Sequence, residues 1–113
     1  MIETYTFGSM TIKGRTYNSD LIIYPDGRIV DNWWRERGHG LSKKDISSLI
    51  DAKPEVIIAG TGVNGLVRIE AGLEPYLSER GILFFSAPNE KAVQLFNQNV
   101  KKKKVGAGFH LFC

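Results

Sequence analysis

Cysteine is almost missing from this chain: its 113 residues include one, Cys113. An internal disulfide framework is therefore excluded, and a reducing compartment, the cytoplasm, is the expected setting. Long apolar runs are missing too. None approaches the ~18 residues that mark a membrane span. Met1-Ile2-Glu3-Thr4-Tyr5 has neither the basic start nor the apolar stretch of a secretion signal, so no membrane partner is expected. Histidine is scarce, with His39 and His110 alone, and neither C-x-x-C nor H-x-x-x-H spacing occurs. His39, His110 and Cys113 therefore carry no metal-ligand signature. His110 alternates with Phe109 and Leu111, as a structural histidine on the polar face of a strand does. No Ser–His–Asp order or carboxylate pair stands out, and Asp20, Asp26, Asp31 and Asp45 each suit a turn, a strand end or a cap. No catalytic residue, cofactor or metal is expected.

Charge is also sparse outside one place. The net charge is +3, and removing Lys101, Lys102, Lys103 and Lys104 leaves eleven basic against twelve acidic residues. A nucleic-acid surface spreads its basic residues over a face among aromatic or polar readers. A single cluster instead suits the C-terminus of a helix, where cations meet the negative end of the macrodipole. Nucleic acid is not an expected partner.

What is present reads first as β. Thr4 to Phe7, Met10 to Lys13, Asp20 to Tyr24 and Arg28 to Val30 are strand candidates. Gly8-Ser9 and Pro25-Asp26-Gly27 supply turns, which predicts an N-terminal antiparallel meander. Trp33 to Gly40 is an irregular connector. Ser42 with Asp45 resembles a capping box for a helix over residues 43–52, stopped by Pro54. The pattern then alternates. Val56 to Ala59 is an apolar run suited to a strand buried on both faces, and Leu66 to Ile69 can pair briefly. A short helix has Pro75 in its first turn and Gly81 just past its end. Ile82 to Phe85 is a second buried strand. Ser86 or Asn89 caps a longer helix carrying Ala92, Val93, Leu95 and Phe96. Val105 to Phe112 reads as a final strand. The expectation is a single α/β domain over residues 1–113: a three-layer sandwich with a central mixed β-sheet flanked by helices, preceded by the meander.

Two segments invite a functional reading. Gly60-Thr61-Gly62-Val63-Asn64-Gly65 spells G-x-G-x-x-G after a strand. A dinucleotide fold needs its third glycine at the head of a helix, so that amides meet the pyrophosphate. Here Gly65 opens Leu66-Val67-Arg68-Ile69, which suits a strand, and no carboxylate ends the second strand. Dinucleotide binding is therefore not expected. A small anion held by the Gly60-Thr61-Gly62 amides and the Thr61 hydroxyl at the sheet's carboxyl edge remains an alternative. The second segment is Trp33-Trp34-Arg35. Interfaces are enriched in Trp and Arg. One indole is expected to roof the sheet, and the other to lie at the surface with Arg35.

The blocks Trp34-Arg35, Gly38-His39-Gly40 and Asp45 come first. Val56-Ile57-Ile58-Ala59-Gly60-Thr61-Gly62, Tyr76-Leu77 and Gly81-Ile82 follow, then Ala92, Asn97, Val105-Gly106, Phe109-His110 and Cys113. In this order, over nearly the whole chain, they resemble the adipogenesis-associated, Mth938-like domain family. That family includes a cytoplasmic vertebrate member, relatives of a mitochondrial respiratory complex I assembly factor, and stand-alone archaeal and bacterial members. The resemblance implies a three-layer α/β fold, no assigned catalytic residues, and roles of the interaction type. Residue chemistry and resemblance together lead to the same expectation. It is a non-catalytic protein-interaction or assembly module, a monomer or weak homodimer. Its candidate contact residues are Trp34, Arg35, His39, Gly60, Thr61 and Gly62. The alternative is a small-anion, ligand-binding or enzymatic pocket around Gly60-Thr61-Gly62.

Overall fold

A computed structural model describes residues 1–113. Its centre is a five-stranded mixed sheet. Strands β1 (Ile2–Thr6), β2 (Ser9–Ile12) and β3 (Arg15–Tyr17) come first and form a separate antiparallel meander. Next come β4 (Leu21–Ile23), β5 (Ile29–Asp31), β6 (Gly40–Leu41), a 3-10 turn (Lys44–Ile46) and helix α1 (Ser47–Asp51). Then follow β7 (Val56–Gly60), β8 (Arg68–Ile69), α2 (Leu73–Glu79), β9 (Leu83–Ala87), α3 (Asn89–Val100) and β10 (Val105–Phe109). The central sheet has the order β5-β4-β10-β7-β9. Strands β10, β7 and β9 are parallel, whereas β4 runs antiparallel to both β10 and β5.

Every residue of β7 and β10 is buried, as strands covered on both faces require. One cover joins the meander to α3: Met10, Ile12 and Tyr17 pack with Ala92 and Phe96 against Val56, Ile58, Ala107 and Phe109. The opposite cover is the 3-10 turn with α1 and α2, where Ile46, Leu49, Leu73 and Leu77 pack against Ile22, Ile57 and Ala59. Asn97 of α3 fixes the meander by exchanging two 2.9 Å hydrogen bonds with the backbone of Ile2.

Several expectations need adjusting. The four early strands do not make one meander, because β4 and β5 join the central sheet. The short polar strand β3 takes their place, reached through a turn with Lys13 and Gly14 at φ 50° and 80°. The helix expected over residues 43–52 is broken at Ile46. The break lies beside Asp45, whose carbonyl accepts the Trp33 indole N–H at 3.0 Å. Its carboxylate accepts the Ser42 amide and hydroxyl, which is the backward half of a capping box. Asn89 does not cap α3; Pro88 holds the N-cap position. Helix α2 ends as its glycine foretells: the Gly81 and Ile82 amides donate to Ser78 and Leu77, a Schellman closure. The lysines follow the last turn of α3, where they face solvent.

Glu3 ties the β2–β3 turn. Its carboxylate accepts the Gly14 and Lys13 amides at 2.6 and 2.7 Å, and these two bonds hold its pKa below the ordinary carboxylate value. A depressed carboxyl pKa stabilises above the unfolded value, and that contribution is lost as pH falls through the folded one. The Gly14 amide resonance is accordingly expected to titrate below the usual glutamate range. Loss of that titration in Glu3→Gln is the check; an unchanged titration would show that another group is sensed.

Candidate functional site

The carboxyl ends of parallel strands β7, β9 and β10 are where open α/β sheets place ligands. Here that edge is filled by the chain itself. Residues 110–113 leave β10 as a strap whose backbone is bonded on both sides. His110 N–H donates to the Gly60 carbonyl at 3.0 Å, and Leu111 N–H to Asp20 Oδ1 at 2.8 Å. The Leu111 carbonyl accepts the Gly8 amide and the Tyr5 hydroxyl, each at 2.7 Å. Beneath the strap lies the glycine loop. Val63 and Asn64 amides donate to the Phe112 and Cys113 carbonyls at 2.8 and 3.1 Å.

The remaining loop amides are also spent. Thr61 donates to the Ala87 carbonyl, Gly62 to Asn89 Oδ1 and Gly65 to the Gly62 carbonyl. No amide from Thr61 to Gly65 is left for an anion, and Thr61 is buried. After Gly60 the chain runs irregularly to β8, and the next helix starts at Leu73. The G-x-G-x-x-G therefore lacks the helix head that a pyrophosphate needs. Asn89, 0 % exposed, joins loop and strap: its Oδ1 takes the Gly62 amide and its Nδ2 donates to the His110 carbonyl at 2.6 Å.

A buried polar cluster sits at the strap's start. Leu21 of β4 pairs with Phe109 of β10, so the residues just outside that pair, Asp20 and His110, come together. Asp20 Oδ2 lies 2.8 Å from His110 Nδ1 and 2.8 Å from an Arg35 terminal nitrogen. The second terminal nitrogen of Arg35 donates to the Gly38 carbonyl at 2.7 Å, and its guanidinium lies over the Trp33 ring. Arg35 Nε alone has no partner. Burial is the largest influence on Asp20 and pushes its pKa up. Hydrogen bonds from His110, the Leu111 amide and Arg35 outweigh it, so the net pKa lies below the ordinary value and Asp20 stays a carboxylate. A carboxylate only accepts, so His110 Nδ1 is the donor in its 2.8 Å bond to Asp20; an Arg35 terminal nitrogen also lies 3.1 Å from that atom.

The other ring nitrogen, Nε2, faces sulfur. Cys113 Sγ is 3.5 Å from His110 Nε2 and 3.0 Å from His39 Nε2. His39 is exposed, and it also lines a polar hollow of about 530 Å³ with Arg37, Asp45, Arg68 and Glu70. Sequence spacing gave no reason to group these residues; the fold gathers His39, His110 and Cys113 from 74 positions apart.

The candidate residues separate into two sets. Arg35 and His39 belong to the cluster, and Gly60, Thr61 and Gly62 form the floor beneath the strap. Trp34 belongs to neither. It is 76 % exposed, while Trp33 is half-buried over Gly108. Asp20, Asn89, His110 and Cys113 are the members that the site reading did not include.

A three-layer α/β domain with a mixed sheet, an N-terminal meander and a strapped carboxyl edge defines the class. The model of a family described as "Protein of unknown function (DUF498/DUF598)" matches residues 2–110, and the chain belongs to that family. Solved structures agree with it over its whole length. A conserved hypothetical protein from Pyrococcus horikoshii is 24 % identical, with a TM-score of 0.84 and coverage of 100 % of this chain and 99 % of that one. The protein MT938 is 25 % identical, with a TM-score of 0.82 and coverage of 100 % and 98 %. A Mth938-like domain from Bordetella pertussis, 16 % identical, shares the fold at a TM-score of 0.61 over 97 % and 84 %. The Mth938-like resemblance therefore holds. No curated protein matches the chain.

Proposed function

We propose that this domain is a non-catalytic protein-interaction or assembly module of the cytoplasm, docking through the surface around Trp34. The observation that carries the reading is an exposed indole between two anchored neighbours. Trp33 is anchored by its N–H on Asp45 and Arg35 by Asp20 and Gly38. Trp34, between them, projects 76 % exposed. Interface energy concentrates on such aromatic anchors, and prior ordering lowers the entropic cost of binding. Val30 is exposed nearby on β5, the outer strand of the sheet. A shallow hollow of about 360 Å³ lies between Tyr24, Val30, Trp33 and Trp34. The cytoplasm is the compartment that keeps a free thiol such as Cys113 reduced. A ligand pocket at Gly60-Thr61-Gly62 has less support, because each loop amide is spent within the chain.

The test is photo-crosslinking in cells from a probe placed at Val30, followed by purification of the captured protein and measurement of its affinity. Trp34→Ala is expected to weaken that complex by at least about 2 kcal/mol, roughly thirtyfold in Kd. Its own unfolding free energy should stay within about 0.5 kcal/mol of the parent, as for an exposed side chain. Undiminished affinity in Trp34→Ala sinks the reading. Capture of a second copy of the same chain makes the partner a homodimer mate.

A further inference from the structure

Three atoms of the kind that bind transition metals converge at the end of the strap. His39 Nε2, His110 Nε2 and Cys113 Sγ all lie within 4.8 Å of one another. We propose that these three side chains form a site for one Zn²⁺ ion, with Asp20 as the outer-shell partner of His110.

Four observations support it. The first is distance. Zinc bonds of about 2.0–2.1 Å to nitrogen and 2.3 Å to sulfur set tetrahedral nitrogen–sulfur edges of roughly 3.6 Å. The two found here are 3.0 and 3.5 Å, while the two histidine nitrogens, within 4.8 Å of each other, reach their own edge of roughly 3.3 Å when the exposed His39 ring closes inward. The second is orientation. His110 Nδ1 bonds to the Asp20 carboxylate at 2.8 Å, the carboxylate–histidine arrangement that fixes a ligating tautomer and raises its basicity. Arg35, itself buried, holds that carboxylate in place. The third is convergence: both imidazoles turn the same ring nitrogen, Nε2, toward one sulfur, as ligands of a common ion do. The fourth is access. His110 is buried, but His39 is exposed between Gly38 and Gly40, able to close on an ion arriving from solvent.

The donor set selects the ion. Two imidazoles and a thiolate suit zinc and its late first-row neighbours, whereas magnesium and calcium require oxygen. As the zinc–sulfur bond forms, the thiol proton leaves to solvent. Three protein ligands leave the fourth tetrahedral position open.

Asp20, His110 and Cys113 also have the order of a nucleophile triad. Acyl transfer through such a triad needs free N–H donors for an oxyanion, and the amides of the adjoining loop are all engaged. A second imidazole 3.0 Å from the sulfur has no role in that chemistry. The metal reading accounts for both facts.

The test is titration of the reduced full chain with Zn²⁺ and, separately, Co²⁺. One ion per chain is expected, with a thiolate-to-cobalt charge-transfer band in the near ultraviolet that Cys113→Ser removes. His39→Ala should lower zinc affinity at least about 100-fold, since loss of an outer-shell partner alone costs 10- to 100-fold. The side chain of His39 is exposed, so the metal-free unfolding midpoint of that variant should not move. Either of two results overturns the site: no binding of either ion at stoichiometric concentration, or unchanged zinc affinity in His39→Ala. Rapid alkylation of Cys113 that Zn²⁺ fails to slow also overturns it, in favour of a free nucleophilic thiol.

Discussion

Asp20→Ala is expected to cost about 3–5 kcal/mol of stability, a large share of the roughly 5–15 kcal/mol that holds a domain of this kind folded. The reason is what the substitution leaves behind. Arg35 keeps its guanidinium inside the protein, with its side chain 4 % exposed, and loses its one charged partner. The Leu111 amide loses its acceptor, and so does His110 Nδ1. The cost is thus that of stranded buried groups more than of a missing attraction. Replacing both members with apolar side chains, as in Asp20→Leu with Arg35→Met, should recover most of the loss, because a buried ion pair exchanged whole for packed hydrocarbon is often neutral. Denaturant unfolding of the parent, both single variants and the double variant gives the coupling directly. A loss under about 1 kcal/mol in Asp20→Ala would mean that Arg35 finds solvent when its partner goes.

The same residue shows where sequence reading stops. Asp20 looked like a strand end, and it is one; its importance comes from the strand it lies beside. Strand β4 pairs with β10 across some ninety positions, in the register Leu21 to Phe109. No local pattern in Leu21-Ile22-Ile23 or Val105-Gly106-Ala107 specifies that pairing. His110 and Cys113 were hidden in the same way, because their meeting with His39 follows from topology and not from spacing. The carboxylate just outside one apolar strand and the imidazole just outside another were the available signal. It becomes readable only once the sheet order is known.

Local chemistry was far more legible. The buried run at β7, the Schellman glycine after α2 and the lysines closing α3 each follow from physics acting within a few residues. The two tryptophans divided as expected, one over the sheet and one outside it, but Arg35, expected at the surface beside the second, is buried because Asp20 and the Gly38 carbonyl draw its guanidinium inward. Asn89 was misread because asparagine commonly caps helices. Here its side chain is withdrawn from that task to bridge loop and strap, and a buried amide that satisfies two backbone groups outweighs a cap that Pro88 can occupy.

The glycine loop gives the second large effect. Gly62→Ala is expected to destabilise the domain by more than about 3 kcal/mol, from two additive sources. Gly62 has φ +103°, a conformation that costs a side-chain-bearing residue of order 1–3 kcal/mol. A Cβ there would also stand 2.3 Å from the Cys113 carbonyl carbon and 3.3 Å from the His110 ring. The first of these is backbone, so relief requires the strap itself to lift. Lifting it breaks the bonds from Val63 and Asn64 to Phe112 and Cys113, and moves the sulfur away from both imidazoles. Gly38→Ala is the control in the neighbouring connector: nothing lies within 4 Å of its Cβ and its φ is ordinary, so its unfolding midpoint should stay near the parent's. A motif whose glycines exist to admit a nucleotide would show in ligand-free Gly62→Ala only the backbone part of that cost, about 1–3 kcal/mol. A motif whose glycines exist to admit the chain's own strap loses more than that with no ligand present. The unfolding curve of Gly62→Ala without added ligand separates the two: a loss no larger than the backbone cost would show that the strap does not press on this glycine.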